Sequence, residues 1–318
     1  MRRPDGYPSE AFAVSPSRLS SMADARPATL DITVVLPAYN EAGHVLAEVD
    51  RITAALKATD YSFEILVVDD GSTDGTGDRV EGLPFVRLLR FPSNRGSGTA
   101  RRIGTMEAHG RYVVWTDADM TYPNERIPEM IDRLITGTAH QIVGARTSEE
   151  GTLKFLRVPA KWLIRRLAEF LSDTKIPDLN SGLRAFSKEH AHPYLGLLPA
   201  GFSCVTTITL AFLANGLIVE YMPIAYAPRQ GRSHFHPIKD AYRYILQVVR
   251  MITFFEPLRV FAPMALTLLL LGTGKILFDV FTKSLRITTN AMLLLLSGLI
   301  LFSLGLLADL IVRMNRND

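Results

Sequence analysis

I-T-V-V-L-P-A-Y-N-E, residues 32–41, opens with five β-branched or apolar residues and closes on polar groups. A run so short, with apolar character on both faces, reads as a strand buried between two layers. The pattern returns at E-I-L-V-V (64–68), Y-V-V-W-T (112–116) and Q-I-V-G (141–144), with helical stretches at 41–56 and 126–134 between runs. Buried strands alternating with helices predict an α/β fold with a mainly parallel sheet covered on both sides. In such sheets ligands bind beyond the carboxyl ends of the strands, so the residues that follow each run carry the functional expectation.

Those residues are acidic three times over. Glu41 follows the first strand, D-D-G-S-T-D (69–74) the second, and T-D-A-D (116–119) the next clear one. Carboxylates confined to one crevice repel and raise each other's pKa unless something compensates, and a hard divalent cation with oxygen ligands does so. One D-x-D alone is weak, because paired aspartates are common in turns; three acidic strand ends in order say more.

Composition narrows the class. The chain has 318 residues, 47% of them hydrophobic and 21% charged, which is enough apolar material for a sizeable core and excludes a wholly disordered chain. Cys204 is the sole cysteine, so a disulfide framework is excluded, and seven histidines without ligand spacing argue against zinc. A net charge of +3 is too small a surplus to indicate nucleic-acid binding. Arg229, Arg232, Lys239, Arg243, Arg250 and Arg259 do cluster, where an anionic membrane surface or a phosphate-bearing substrate would meet them. Arg2 and Arg3 precede Pro4, Asp5, Gly6 and Pro8 instead of an apolar run, so no secretory signal is expected, and residues 1–29 read as a flexible leader.

The apolar excess lies at the C-terminal end. Residues 260–281 contain only Lys275 and Asp279 as charges, and residues 291–312 only Asp309. As helices, these two segments are each about 33 Å long, matching a hydrocarbon layer of about 30 Å. Lys275 is expected to snorkel to the head groups. The short link between the segments predicts a hairpin, and the excess of basic residues on its flanks over Lys283 and Arg286 in its loop places both flanks, the catalytic part and both termini on the cytoplasmic side of the cell membrane. Just upstream, Tyr242, Ile245, Leu246, Val249, Ile252 and Thr253 recur at helical spacing, as in an interfacial amphipathic helix or, equally, a core helix.

Taken together, V-V-L-P-A-Y-N-E (34–41), V-V-D-D-G-S-T-D (67–74), T-D-A-D (116–119) and D-L-N-S-G-L-R-A-F (178–186) resemble family-2 glycosyltransferases, and more closely the polyprenyl-phosphate glycosyltransferases of the dolichol-phosphate mannose synthase group. The resemblance covers about residues 31–257. It implies a GT-A type nucleotide-sugar-binding domain at 30–236, an amphipathic juxtamembrane helix at 237–257, and a two-helix transmembrane hairpin with a short tail at 258–318.

The resemblance also assigns roles by position. Pro37, Tyr39, Glu41, Val68, Asp70 and Ala118 match donor-nucleotide positions, and Asp117 and Asp119 match the pair that holds Mg²⁺ or Mn²⁺ against the donor diphosphate. Where several members carry a glutamine metal ligand, this chain has Thr121. For the acceptor phosphate, Arg146, Arg157, Lys161, Ser181, Arg184 and Arg229 match binding positions, with Arg157 assigned a catalytic share. His234 replaces a usual lysine in a loop one residue shorter. Asp178 would orient a sugar hydroxyl or a phosphate-binding arginine.

Gly96-Ser97-Gly98 is no dinucleotide fingerprint, because Arg101 stands where the third glycine belongs, and it aligns with a glycine-rich loop that shapes the donor site. Gly272-Thr273-Gly274-Lys275 lacks the remainder of a P-loop. The expected activity is metal-dependent, inverting transfer of one hexose from GDP-mannose or a UDP-sugar to polyprenyl phosphate, with room for an oligomer. Transfer to protein or polysaccharide, and a non-catalytic nucleotide-sugar-binding tether, are the competing readings. Sugar, nucleobase and lipid length are not legible.

Overall fold

The structure is a computed structural model, and it describes residues 30–147, 175–227, 246, 249–250, 253–254, 256–282 and 288–315. The leader, most of the juxtamembrane stretch, and Arg157, Lys161, Arg229 and His234 lie outside the described residues.

Seven strands form one sheet. In chain order the elements are β1 (Leu30–Ala38), α1 (Val45–Lys57), β2 (Phe63–Asp69), β3 (Val86–Arg90), α2 (Ser97–Glu107), β4 (Gly110–Trp115), α3 (Ile127–Thr136), β5 (Gln141–Arg146), β6 (Arg184–Ser187), α4 (Cys204–Ala214) and β7 (Val219–Ile224). Their spatial order is β3-β2-β1-β4-β6-β5-β7. Only β6 runs antiparallel to its neighbours. Because β6 enters from the opposite end, its first residue, Arg184, pairs with Trp115 at the last residue of β4. The D-L-N-S-G stretch is thereby delivered to the edge where β1, β2, β4 and β5 all end.

Alternation along β1 shows why both faces must be covered. Ile32, Val34 and Leu36 pack with Val45, Val49, Ile52 and Leu56 of α1, whereas Val35 joins Ala100 of α2 and Ile208 of α4 on the other side. All of these side chains are buried, as a period-2 strand between two helical layers requires. Gly104 permits the close approach of α2, since a Cβ there would lie 2.5 Å from a Val35 methyl.

Two further helices, α5 (Pro257–Thr282) and α6 (Thr289–Asn315), are long and apolar enough to cross a membrane. They pack antiparallel through small residues: Gly272 faces Leu295, Gly298 faces Leu269 and Gly305 faces Phe261. Lys275, expected to snorkel, has an acidic partner within the span. Its ammonium donates to Asp279 at 2.7 Å one turn on, and Asp279 also accepts from the backbone N–H and hydroxyl of Thr288, so the span's two charges compensate each other and tie the helix ends together. At the base of the hairpin, Val260 packs on Ile176, Leu179, Leu210 and Ala211, beside the segment that leads into the D-L-N-S-G loop.

Candidate active site

The crevice is built from the loops that follow β1, β2 and β4 and the loop that precedes β6. The first two are laced together. The Asn40 N–H donates to Ser72 Oγ at 3.0 Å, the Thr73 N–H to Asn40 Oδ1 at 2.9 Å, and the Ala42 N–H to Asp74 Oδ2 at 3.0 Å. Asn40 adopts φ 55, a left-handed turn its short amide side chain tolerates. Burial opposes ionisation of Asp74, but the hydrogen bonds from Thr76 and Ala42 win and its pKa ends below the ordinary value. Tyr39 is left 44% exposed, so its ring is available to a ligand.

Asp70 has a structural task. Its carboxylate accepts the N–H groups of Arg95 and Gly96 at 2.7 and 2.8 Å, holding down the loop before α2, and burial pushes its pKa up. Gly71 next to it has φ 76 and packs so close to the Ser93 backbone that a Cβ would lie 2.5 Å away. Val68, expected in the donor set, has its side chain fully buried in the core between β2 and α2. Ala118 is likewise buried, at 3% exposure.

The acidic turn after β4 is gripped from both sides. Arg101 of α2, 1% exposed, donates through Nη2 to Asp117 Oδ1. On the other oxygen's side, Gly182 lies so close that a Cβ would be 2.7 Å from Asp117 Oδ2. The Gly182 N–H donates to the Tyr122 hydroxyl at 2.6 Å, which fastens the loop before β6 to the acidic turn. Asp119 Oδ1 accepts from the Thr121 hydroxyl at 2.6 Å. Met120, at φ 62, donates its N–H to Glu48 Oε2 of α1 at 3.0 Å. Glu48 is fully buried and also accepts from Asn124 and from Arg51, whose other bond reaches the Tyr122 carbonyl. Asn124 in turn accepts from the Thr116 hydroxyl at 2.7 Å. Desolvation raises the Glu48 pKa despite these donors.

Opposite lies Arg146, at the end of β5. Its Nε and Nη2 donate to the two oxygens of Asp178 at 2.7 and 3.0 Å, a fork that fixes the guanidinium plane, and its carbon lies 5.3 Å from the centre of the Tyr226 ring. Burial works against the Asp178 charge, but Arg146 outweighs it and the pKa falls. Asp178 thus orients the Arg146 guanidinium.

Ser181 and Arg184, expected on the acceptor side, lie deep in the loop before β6. Both are fully buried. The Arg184 guanidinium donates to the Val205 and Ser181 carbonyls and to the Thr209 hydroxyl, and burial brings its pKa down to about 10. It braces the loop from within. The glycine-rich loop is also tightly held: the Gly98 N–H donates to the Ala200 carbonyl at 2.7 Å, and a Cβ on Gly98 would overlap the Pro199 carbonyl.

Two groups were missed in the sequence. Glu48 was signalled by an acid on the apolar stripe of α1, three residues after Val45 and one before Val49. Arg101 was noticed only as a broken fingerprint.

Among the described residues no three His, Cys, Asp or Glu side chains gather as a metal cage. Two aspartates on one turn fit a different kind of ion. Mg²⁺ commonly takes one or two carboxylates and completes its shell with substrate phosphates and water. Asp117 and Asp119 would supply hard oxygen donors of that kind, and the Thr121 hydroxyl is already turned onto Asp119.

Comparison with known proteins agrees with this architecture. Residues 33–195 match the family described as glycosyl transferase family 2, and residues 256–314 match the GtrB C-terminal hairpin. The chain is 27% identical over 311 residues to a dodecaprenyl-phosphate galacturonate synthase of Rhizobium johnstonii, covering 91% of this chain and 90% of the relative. It is 30% identical over 212 residues to a dolichyl-phosphate hexose transferase of Haloferax volcanii, covering 65% and 87%. Among solved structures, glucosyl-3-phosphoglycerate synthase from Mycobacterium tuberculosis, in complex with Mn²⁺, UDP and glucosyl-3-phosphoglycerate, superposes with a TM-score of 0.56 at 20% identity, covering 76% of this chain and 86% of that one. The likeness establishes a shared GT-A-like fold.

Proposed function

The chain belongs to glycosyl transferase family 2, and from that premise we propose that this glycosyltransferase moves one hexose from a nucleotide-sugar to the phosphate of a polyprenyl lipid at a membrane. The observation that carries the reading is the joining of an acidic strand-end turn to an arginine-bearing loop, Asp117 to Gly182 and Arg146 to Asp178, in a chain that ends in two membrane-length helices. Relatives named for dodecaprenyl-phosphate and dolichyl-phosphate chemistry support the acceptor class.

In this reading Pro37, Tyr39 and Glu41 border the nucleotide, and Asp117 and Asp119 hold Mg²⁺ or Mn²⁺. Bound there, the ion would act as a Lewis acid toward the leaving diphosphate. Arg146 meets the acceptor phosphate, together with Arg157, Lys161, Arg229 and His234 from segments outside the described residues. The phosphate monoester is already largely ionised near neutrality, with a second pKa of about 6, so the site needs no strong general base. One phosphate oxygen attacks the anomeric carbon in line, its bond to the diphosphate oxygen breaks, and the configuration inverts. Catalysis then rests on alignment and charge neutralisation. Val260, packed beside the Ile176–Leu179 cluster, places the hairpin next to the loop that carries Asp178, a short route for a lipid head group.

The test is a pair of substitutions. Asp119→Ala should abolish turnover, whereas Arg157→Ala should raise KM for the lipid far more than KM for the donor. Full activity in either variant contradicts the role assigned to that residue.

A further inference from the structure

Behind the acidic turn stand two buried cations. Arg101 is 1% exposed and bonded to Asp117; its Nε and Nη1 have no hydrogen-bond partner among the described residues. Arg184 is fully buried, is bonded to carbonyls and a hydroxyl, and has no carboxylate partner among the described residues. The other acid close to the turn, Glu48, is already spent on Arg51, Asn124 and the Met120 N–H. Of the turn's two carboxylates, Asp117 is therefore bonded directly to a buried guanidinium.

We propose that Arg101 is a built-in counter-charge that keeps the acidic turn from capturing a divalent cation by itself, so that metal and nucleoside diphosphate bind as a mutually dependent pair. The inference rests on the metal reading given above. A cation taken by Asp117 shares that carboxylate with a guanidinium bonded to its Oδ1, and like charges at such a distance inside a protein repel strongly. The diphosphate brings the negative charge that the turn lacks. Thermodynamic reciprocity then requires the metal to tighten the nucleotide by the same factor as the nucleotide tightens the metal. Arg101 does not touch substrate; it acts through Asp117, and its effect is read in metal affinity.

The experiment measures Mn²⁺ binding by electron paramagnetic resonance to the full chain in detergent, alone and with saturating UDP or GDP, corrected for Mn²⁺ held by the free nucleotide. The wild-type chain should bind Mn²⁺ weakly alone and at least about tenfold more tightly with one of the nucleotides. Arg101→Met should bind Mn²⁺ alone at least about tenfold more tightly than wild type and show a smaller nucleotide effect, while Arg101→Lys, which keeps the charge, should stay weak. A folded Arg101→Met protein with unchanged Mn²⁺ affinity overturns the inference. So does wild-type protein that binds Mn²⁺ equally well with and without nucleotide, a result that needs no variant to fold. Wild-type protein that binds no Mn²⁺ under either condition overturns the metal reading itself, and the inference with it.

Discussion

Asp178 and Asp117 are both aspartates paired with arginine, yet the pairs differ in their surroundings. Asp178 takes both donors of the Arg146 fork and is 9% exposed at its side chain, while Asp117 is 31% exposed and gives only one oxygen to Arg101. The first pair is a fixed support; the second leaves a carboxylate edge facing the crevice. Asp178→Asn leaves the Arg146 charge poorly compensated in a buried place and should cost about 3–5 kcal/mol of stability at pH 7. The pH dependence has a definite sign. The folded pKa of Asp178 is lowered, so its stabilisation is present above the ordinary value of 3.8 and is lost as pH falls below that. The gap in melting temperature between wild type and Asp178→Asn should therefore narrow below about pH 4 in thermal scans, and a gap constant down to pH 2 would contradict the pairing. The sequence marked Asp178 and Arg146 as separate candidates, because two residues 32 positions apart show no contact until β6 turns back against the sheet. The burial of Arg184 and Val68 was not legible either, since a linear motif records position along the chain and not which way a side chain faces.

Among the elements, α1 has a task that its length and amphipathicity do not disclose. It begins just after the P-A-Y-N-E loop and carries Glu48 under the acidic turn, so that loop and the turn share one rigid support. Removing the carboxylate leaves the Met120 N–H and the Asn124 amide unpaired in the interior, at about 1–3 kcal/mol each. Glu48→Ala should thus lower the melting temperature and reduce kcat more than tenfold, whereas Glu48→Gln, which keeps an acceptor, should recover most of the stability. Equal losses in both variants would mean that charge, not hydrogen bonding, is what the turn requires. The strands were legible because buried parallel strands are continuous apolar runs. The helix starts were less so: α1 begins at Val45, four residues after the expected Glu41, since residues 39–44 are tied to the β2 loop instead. In the hairpin, Gly298 sits where a Cβ would meet Leu269 at 2.9 Å. Gly298→Val should splay α5 from α6 and lower the melting temperature of the chain in detergent; an unchanged melting temperature would show that the helices do not depend on this close approach.

For the whole molecule, one loop links the acidic edge of the sheet to the base of a hairpin long and apolar enough to cross a membrane. That loop, residues 178–183, touches the acidic turn through Gly182 and follows the Ile176 cluster on which Val260 of the hairpin rests. The order of the motifs was enough to expect this architecture. The internal cations behind the turn were not, because their meaning depends on distances the chain order does not contain. The most direct test of the central claim is the mass of the lipid recovered after the purified chain is incubated with Mn²⁺ or Mg²⁺, a panel of nucleotide sugars and a polyprenyl phosphate. The account predicts, with one of the donors, a new lipid heavier than the acceptor by a single sugar residue, formed in step with release of the nucleoside diphosphate. An unchanged lipid across the whole panel, with sugar appearing instead on protein or polysaccharide or released into water, would contradict it.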